Sequence, residues 1–162
     1  ESFSEFTAQL EFETEGRWLR PTLWARYPRP QFEQLMLDRV LMQCVSADAN
    51  DDGQLQPCGL LAAMDFNPRA QTCQMDIAFR PGTAKSLIHE DWWSFHARLL
   101  SLWPLQSVFA SMVGDVAALV EPERLGYECV GVLSRGAYVA GDFREVVLFG
   151  LRREDFPPFQ SS

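Results

Sequence analysis

Two patterns of apolar positions alternate along this chain, and they predict its elements. Apolar runs and two-residue alternation predict strands over residues 40–47, 58–66, 72–79, 107–113, 128–134 and 143–151. Apolar residues at helical spacing predict helices over residues 31–38, 84–103 and 115–125. Because antiparallel-type strands are followed by a long helix and further strands, the order predicts an α/β fold with a mixed, mostly antiparallel sheet flanked by helices.

The N-terminal segment fits both patterns. Phe3, Phe6 and Leu10 recur at helical spacing, whereas residues 6–12 also alternate as a strand does. We favour a helix over residues 2–15, with Gly16 ending it. Residues 17–30 contain three prolines among their aromatic residues and predict an irregular connection.

A strand, a Pro-Gly turn and a long helix follow one another without a gap at residues 72–103. Pro81 ends the strand, Gly82 can adopt a positive φ, and Thr83 is the expected N-cap of the helix. This arrangement points backbone N–H groups towards an anion. It is therefore the first place to expect a phosphate-bearing cofactor.

The long helix has a broad apolar face and a polar face. The expected apolar face comprises Leu87, Ile88, Trp92, Phe95, Leu99 and Leu102. The polar face carries His89, Glu90, Asp91, Ser94 and Arg98. His89 and His96 can act as bases, but two histidines without a third ligand are more typical of surface or packing positions.

Three polar segments separate the strands. Residues 48–53 resemble the start of a calcium loop, but Gly59 occupies the twelfth position, where that loop needs a glutamate, so we expect a hairpin turn. Residues 67–70 predict a second turn. Residues 135–142 predict a loop that ends in Gly141 and Asp142.

The charge, the cysteines and the length of the chain limit the classes of function and fold to consider. The net charge of −8 disfavours nucleic acid as a partner and suits a cationic acceptor such as an amine. No apolar run is long enough for a membrane helix. The four cysteines lack zinc-site spacing, and Cys44 and Cys73 lie within apolar runs, which indicates a reduced, cytoplasmic protein with no structural metal. The length of 162 residues predicts a single domain over 1–162.

The C-terminal third carries a recognisable series of motifs. Residues 124–133 read RLGYECVGVL, residues 138–143 read YVAGDF, and residues 146–151 read VVLFGL. In this order they resemble the GNAT superfamily of N-acetyltransferases, particularly the branch that acetylates ribosomal-protein N-termini. The resemblance extends from about residue 28 onward.

The resemblance implies a function and a site. In the family, acetyl-CoA or another acyl-CoA binds where the fourth and fifth strands part, which are residues 72–79 and 107–113 here. It implies that the cofactor contacts Ile77, Ala78, Phe79, Arg80, Gly82, Thr83, Ala84 and Lys85. It also implies that Asp76 is the base and Ser111 a weaker candidate for the proton donor. The alternative for Asp76 is a solvent-facing strand residue, and the alternative for Ser111 is a packing role. The acceptor is then a primary amine of a small molecule or a protein N-terminus.

The chain also departs from the family pattern. The cofactor turn is one residue shorter than usual, Pro122 replaces a common tyrosine, and Gly114 and Asp115 stand where an asparagine is usual. An inactive domain that binds CoA or a protein partner is therefore the alternative function. Residues 1–30 are too short for both the first strand and the first helix of the family. We therefore expect a second copy or an upstream domain to complete the edge at strand 40–47 or 58–66, unless residues 2–15 form the missing strand.

Overall fold

The computed structural model describes residues 3–14, 34, 39–50 and 52–158. The helices are α1 (Phe3–Glu13), α2 (Lys85–Leu102) and α3 (Gly114–Val120), with short 3₁₀ turns at Pro122–Leu125 and Arg153–Asp155. The strands are β1 (Val40–Ala49), β2 (Leu55–Asn67), β3 (Thr72–Phe79), β4 (Ser107–Val113), β5 (Glu128–Val139) and β6 (Asp142–Arg152). The predicted connection at 17–30, and the predicted helix at 31–38 apart from Gln34, lie outside the described residues.

In the described part of the chain, six strands form one sheet in the order β1-β2-β3-β4-β6-β5. Only β3 and β4 are parallel, and α2 forms the crossover between them. The other neighbours are antiparallel. The predicted mixed, mostly antiparallel α/β fold is confirmed. β1 and β5 are the edges of the described sheet, so the prediction that 58–66 is an edge strand is wrong, because β2 pairs on both sides.

The N-terminal segment is helical. Phe6 and Leu10 lie on its buried side, while Phe12 is exposed. The helix was the favoured prediction and is confirmed, and the alternative strand over residues 6–12 is wrong. The described residues before Val40 therefore contain no strand that extends the sheet beyond β1.

Helix α2 supplies much of the core. Ile88, Trp92, Phe95 and Leu99 are buried as their spacing predicts. Leu102 is wrong as a core residue, because it lies in the last turn and is exposed. Thr83 is wrong as the N-cap: Ala84 occupies that position without a side-chain cap, and the Thr83 hydroxyl donates to the Arg80 carbonyl instead.

Two segments differ from the predicted elements. The helix predicted over 115–125 is interrupted at Glu121, whose positive φ of 51° ends α3 before the Pro122–Leu125 turn. The loop predicted over 135–142 is mostly strand, because β5 continues to Val139 and only Ala140 and Gly141 form the turn. Both turn residues have positive φ, which suits a tight hairpin.

The other two hairpin turns form where they were predicted. The Asn50 side chain accepts hydrogen bonds from the backbone N–H groups of Asp52 and Gln54. The Asn67 side chain accepts from those of Arg69 and Ala70. Asparagine thus fixes both turns through its own backbone neighbours.

The cysteines are free in the described structure. Cys73 is buried, as expected, and burial raises the pKa of its thiol to about 12. Cys44 is exposed, so its expected role as a small core residue is wrong. Within the described ranges, no helix has the length and apolar character to cross a bilayer.

Candidate functional site

The parallel strands β3 and β4 pair only over their first halves. Their ladder runs from Thr72–Ser107 to Met75–Ala110. Beyond that point β3 continues to Phe79 while paired with β2, and β4 continues to Val113 while paired with β6. Since each strand is held on its outer side, the two part in the middle of the sheet. This opening lies where the family resemblance implies that acyl-CoA binds.

A turn and a helix N-terminus follow the open half of β3. The Thr83 N–H donates to the Arg80 carbonyl at 3.2 Å, and Gly82 has a φ of 87°. Proline followed by a residue of positive φ is typical of a type II turn. The first N–H groups of α2 have no capping side chain, since Ala84 supplies none. An uncapped helix N-terminus favours an anion.

Two residues predicted at the cofactor site are engaged elsewhere. The N–H of Thr83 closes the turn, as described above. The Arg80 guanidinium lies 3.1 Å from the Glu13 carboxylate, measured from Nε, and 5.6 Å above the Phe6 ring. Arg80 therefore fastens α1 to the turn. Nothing in its position along the sequence indicates Glu13 as the partner.

Lys85 belongs to a charged cluster at the start of α2. Its Nζ lies 3.1 Å from Glu121 Oε1, and the Arg124 Nη1 lies 3.4 Å from Oε2. The Lys85 ammonium, which hydrogen-bonds to Glu121, lowers the pKa of that carboxyl below its ordinary value. His89 joins the cluster by hydrogen-bonding the Val120 carbonyl at 2.8 Å. The cluster holds α2 against the end of α3. Nothing in the sequence pattern had indicated a role for Glu121.

Asp76 and Ser111 lie on either side of the point where the strands part. Asp76 follows Met75, the last paired residue of β3, and Ser111 follows Ala110, the last of β4. The Asp76 carboxyl is buried, so a solvent-facing role is wrong. Ser111 accepts a hydrogen bond from the Gln74 side chain at 3.1 Å. Gln74 was missed, although it lies two positions before Asp76 and hence on the same face of the strand.

His96 has a packing role in the core, away from this opening. It is fully buried, and its Nδ1–H donates to the Trp92 carbonyl at 2.8 Å. Because a carbonyl only accepts, Nε2 is the acceptor and the Tyr127 hydroxyl donates to it at 2.6 Å. Burial lowers the pKa of His96 to about 4. The imidazole is therefore neutral around pH 7.

Pro122 is buried at the start of a 3₁₀ turn. The position at which the resemblance led us to look for a tyrosine therefore has no hydroxyl to donate. Among the described residues, no group of three or more histidine, cysteine or acidic side chains could hold a metal ion.

Solved structures of acetyltransferases share this fold. A probable acetyltransferase superposes with a TM-score of 0.69 at 18% identity, covering 94% of this chain and 89% of its own. The ribosomal-protein-S5-alanine acetyltransferase of Vibrio fischeri gives 0.64 at 11% identity, covering 96% and 92%. The spermidine N-acetyltransferase of Vibrio cholerae, in complex with CoA and spermine, gives 0.64 at 14% identity, covering 94% and 90%.

Comparison of the amino-acid sequence with known sequences identifies no relative. No protein-family model matches the chain, and no curated protein sequence matches it. At 11–18% identity, the structural likeness establishes the architecture. The chain has the fold of the GNAT acetyltransferases.

Proposed function

We propose that this protein is an acyl-CoA-dependent N-acetyltransferase that acts on a primary amine. The observation that carries the proposal is the opening between β3 and β4, which leads directly to the Pro-Gly turn and the uncapped N-terminus of α2. The fold shared with acetyltransferases supports it. The acceptor is a small molecule or a protein N-terminus, and we place the activity in the cytoplasm.

The turn and the start of α2 fit the pyrophosphate of CoA. We assign this role to the backbone of Gly82, Ala84 and Lys85, joined by the next N–H groups of the first helical turn, because these donors precede the first intrahelical bond, from Ile88 to Ala84. The Lys85 side chain is paired with Glu121, so the backbone donors carry this assignment. Ile77, Ala78 and Phe79 line the opening and would hold the pantetheine arm. When bound, acetyl-CoA supplies an acyl group activated as a thioester.

The polar groups at the opening fit proton transfer. In this proposal Asp76 accepts a proton from the acceptor amine, directly or through one water, and thereby keeps the nitrogen nucleophilic. Gln74 donates to the Ser111 oxygen, which leaves the hydroxyl hydrogen of Ser111 available for the departing thiolate. Gln74 is then a positioning residue for Ser111.

Two measurements test the proposal. Calorimetric titration with acetyl-CoA should show one site, and thiol release from acetyl-CoA should depend on an added primary amine. Failure to bind acetyl-CoA would contradict the proposal as a whole.

The second candidate is a domain that binds CoA without turnover. It is favoured by Pro122, which offers no hydroxyl for protonating the departing thiolate. Saturable binding of acetyl-CoA with no thiol release across a broad amine panel would select this candidate.

A further inference from the structure

The opening between β3 and β4 has a closed end and an open end. At the closed end the ladder between the two strands stops at the pair Met75–Ala110. At the other end β3 leads into the turn at Gly82 and the start of α2. A cofactor whose pyrophosphate lies at this turn directs its pantetheine arm along the opening. The acyl chain, which is attached beyond the sulfur of that arm, therefore lies nearest to the closed end.

The opening has a polar face and an apolar face. Ile77 and Met112 each lie two positions beyond the last pair of the ladder, so they share one face of the sheet. Asp76 and Ser111 each lie one position beyond it and hence on the other face. An amine that approaches from the side of Asp76 therefore has Ile77 and Met112 behind the acyl group.

The apolar face is filled by the hydrophobic core. Ile77 is 5% exposed and Met112 3% exposed. Their ladder partners on the outer sides of the opening, Leu61 and Val147, belong to or pack against the same core. Because protein interiors are packed to nearly crystalline density, this face leaves no space for a long chain while these side chains keep their places.

The polar face is bridged next to the closed end. The Gln74 amide donates to the Ser111 hydroxyl oxygen at 3.1 Å and thereby connects β3 to β4. A long acyl chain that turned towards this face would meet the bridge and the position that the acceptor amine takes beside Asp76. The ladder, the bridge and the core thus bound the space for the acyl chain on three sides.

Met112 is the side chain in this boundary that a substitution can shorten most. It directly follows Ser111, the proposed proton donor, and lies on the opposite face of β4. Methionine is long, unbranched and flexible, so it fills irregular space in a core. Its removal would open a cavity behind the proposed site of acyl transfer.

We propose that Met112 limits the length of the acyl chain that the protein accepts, and that this limit admits acetyl and excludes butyryl and longer chains. The inference rests on the proposed acetyltransferase function and specifies its acyl donor. Met112 is then a residue that determines specificity through contact with the acyl group.

The test compares acetyl-CoA, butyryl-CoA and hexanoyl-CoA as donors to one amine that supports thiol release. These thioesters have similar reactivity but differ in chain length. We expect kcat/KM to be about tenfold or more higher for acetyl-CoA than for either longer donor. Equal values for acetyl-CoA and hexanoyl-CoA would overturn the inference.

Substitutions link the limit to Met112. Met112→Ala should raise the ratio of kcat/KM for butyryl-CoA to that for acetyl-CoA about tenfold, because the longer chain fills the cavity. Met112→Val should raise the ratio less, and it removes less of the core if the alanine variant fails to fold. Val108→Ala is the matched control, since Val108 is buried on the same face of β4 but pairs with Cys73 in the closed half, and it should leave the ratio unchanged.

Two results separate this inference from the proposed function. Thiol release with an unchanged ratio in the folded Met112 variants would overturn the role of Met112 while leaving acyl transfer intact. If acetyl-CoA binds but no amine supports thiol release, acyl transfer is removed. Calorimetric affinities then decide the inference, and equal affinities of the wild type for acetyl-CoA and hexanoyl-CoA would overturn it.

Discussion

Gly82 shows how one residue sets the geometry of the cofactor turn. Its φ of 87° is costly for any residue with a Cβ, and apart from its chain neighbours no described residue comes within 4 Å of a Cβ built there. A substitution therefore tests backbone conformation without a steric clash. The same description applies to Gly53, which has a φ of 73° in the turn between β1 and β2.

We predict that Gly82→Val lowers affinity for CoA at least tenfold while the domain stays folded, because a β-branched residue shifts the turn out of positive φ. Calorimetry measures the affinity, and circular dichroism checks the fold. Gly53→Val is the control for a strained turn elsewhere and should bind CoA normally. Equal affinities in the two variants would remove the turn from the binding site.

Asp76 carries the base role in the proposed mechanism. Asp76→Asn keeps the size of this buried side chain but removes its capacity to accept a proton, so it should lower turnover by about 10²-fold or more with little effect on CoA binding. Steady-state thiol release and calorimetry measure the two effects separately. Full activity in this variant would reduce Asp76 to a structural residue.

His96 gives the stability of the protein a dependence on pH. Its pKa is about 4 in the folded state, against about 6.5 in the unfolded chain, so the neutral form favours folding. The contribution of His96 to the free energy of unfolding is fully present above pH 6.5. It is lost as the pH drops towards 4, and the loss is at most about 3 kcal/mol.

Denaturant unfolding of the wild type and His96→Gln at several pH values measures this term. We expect the difference in unfolding free energy between them to shift against the wild type between pH 6.5 and 4. A constant difference across that range would contradict the assigned burial of a neutral imidazole.

At the scale of elements, the sequence predicts all six strands because their apolar patterns are strong. The two elements whose bounds were predicted wrongly, α3 and the loop between β5 and β6, end where a residue adopts a left-handed conformation. Glu121 does so without being a glycine, and Lys85 and Arg124 form ion pairs with its carboxylate. Periodicity alone therefore extended α3 too far. Ala140 likewise shortens the loop between β5 and β6 to a tight turn.

The candidate site was predicted in outline and not in its contacts. The turn after β3 could be located from the strand, the proline and the glycine, whereas the parting of β3 and β4 was implied by the resemblance to the acetyltransferase family. The pairing of Arg80 with Glu13 and of Gln74 with Ser111 depends on tertiary contacts between residues far apart in the sequence. Such partners leave no local periodic signal.

At the scale of the whole molecule, β1 is an edge of the sheet, and none of the described residues pairs with its outer side. Its residues are mostly exposed, and the described residues before it form a helix instead of a further strand. We predict that a second copy of the chain or an upstream domain pairs with this edge, because unpaired backbone groups favour strand addition.

Light scattering over a range of concentrations, with hydrogen exchange of the β1 amides, tests this prediction. A dimer should slow exchange along β1 as it forms. A monomer at every concentration would exclude the second copy as the partner.

In the proposed function, the opening between β3 and β4 serves acyl transfer from acetyl-CoA to an amine. The most direct measurement is mass spectrometry of the amine after incubation with the protein and acetyl-CoA, with the Asp76→Asn variant in parallel. We expect an N-acetylated amine to accumulate with the wild type, and to accumulate about 10²-fold more slowly with the variant. Acetyl-CoA that binds but yields no acetylated amine would contradict the claim.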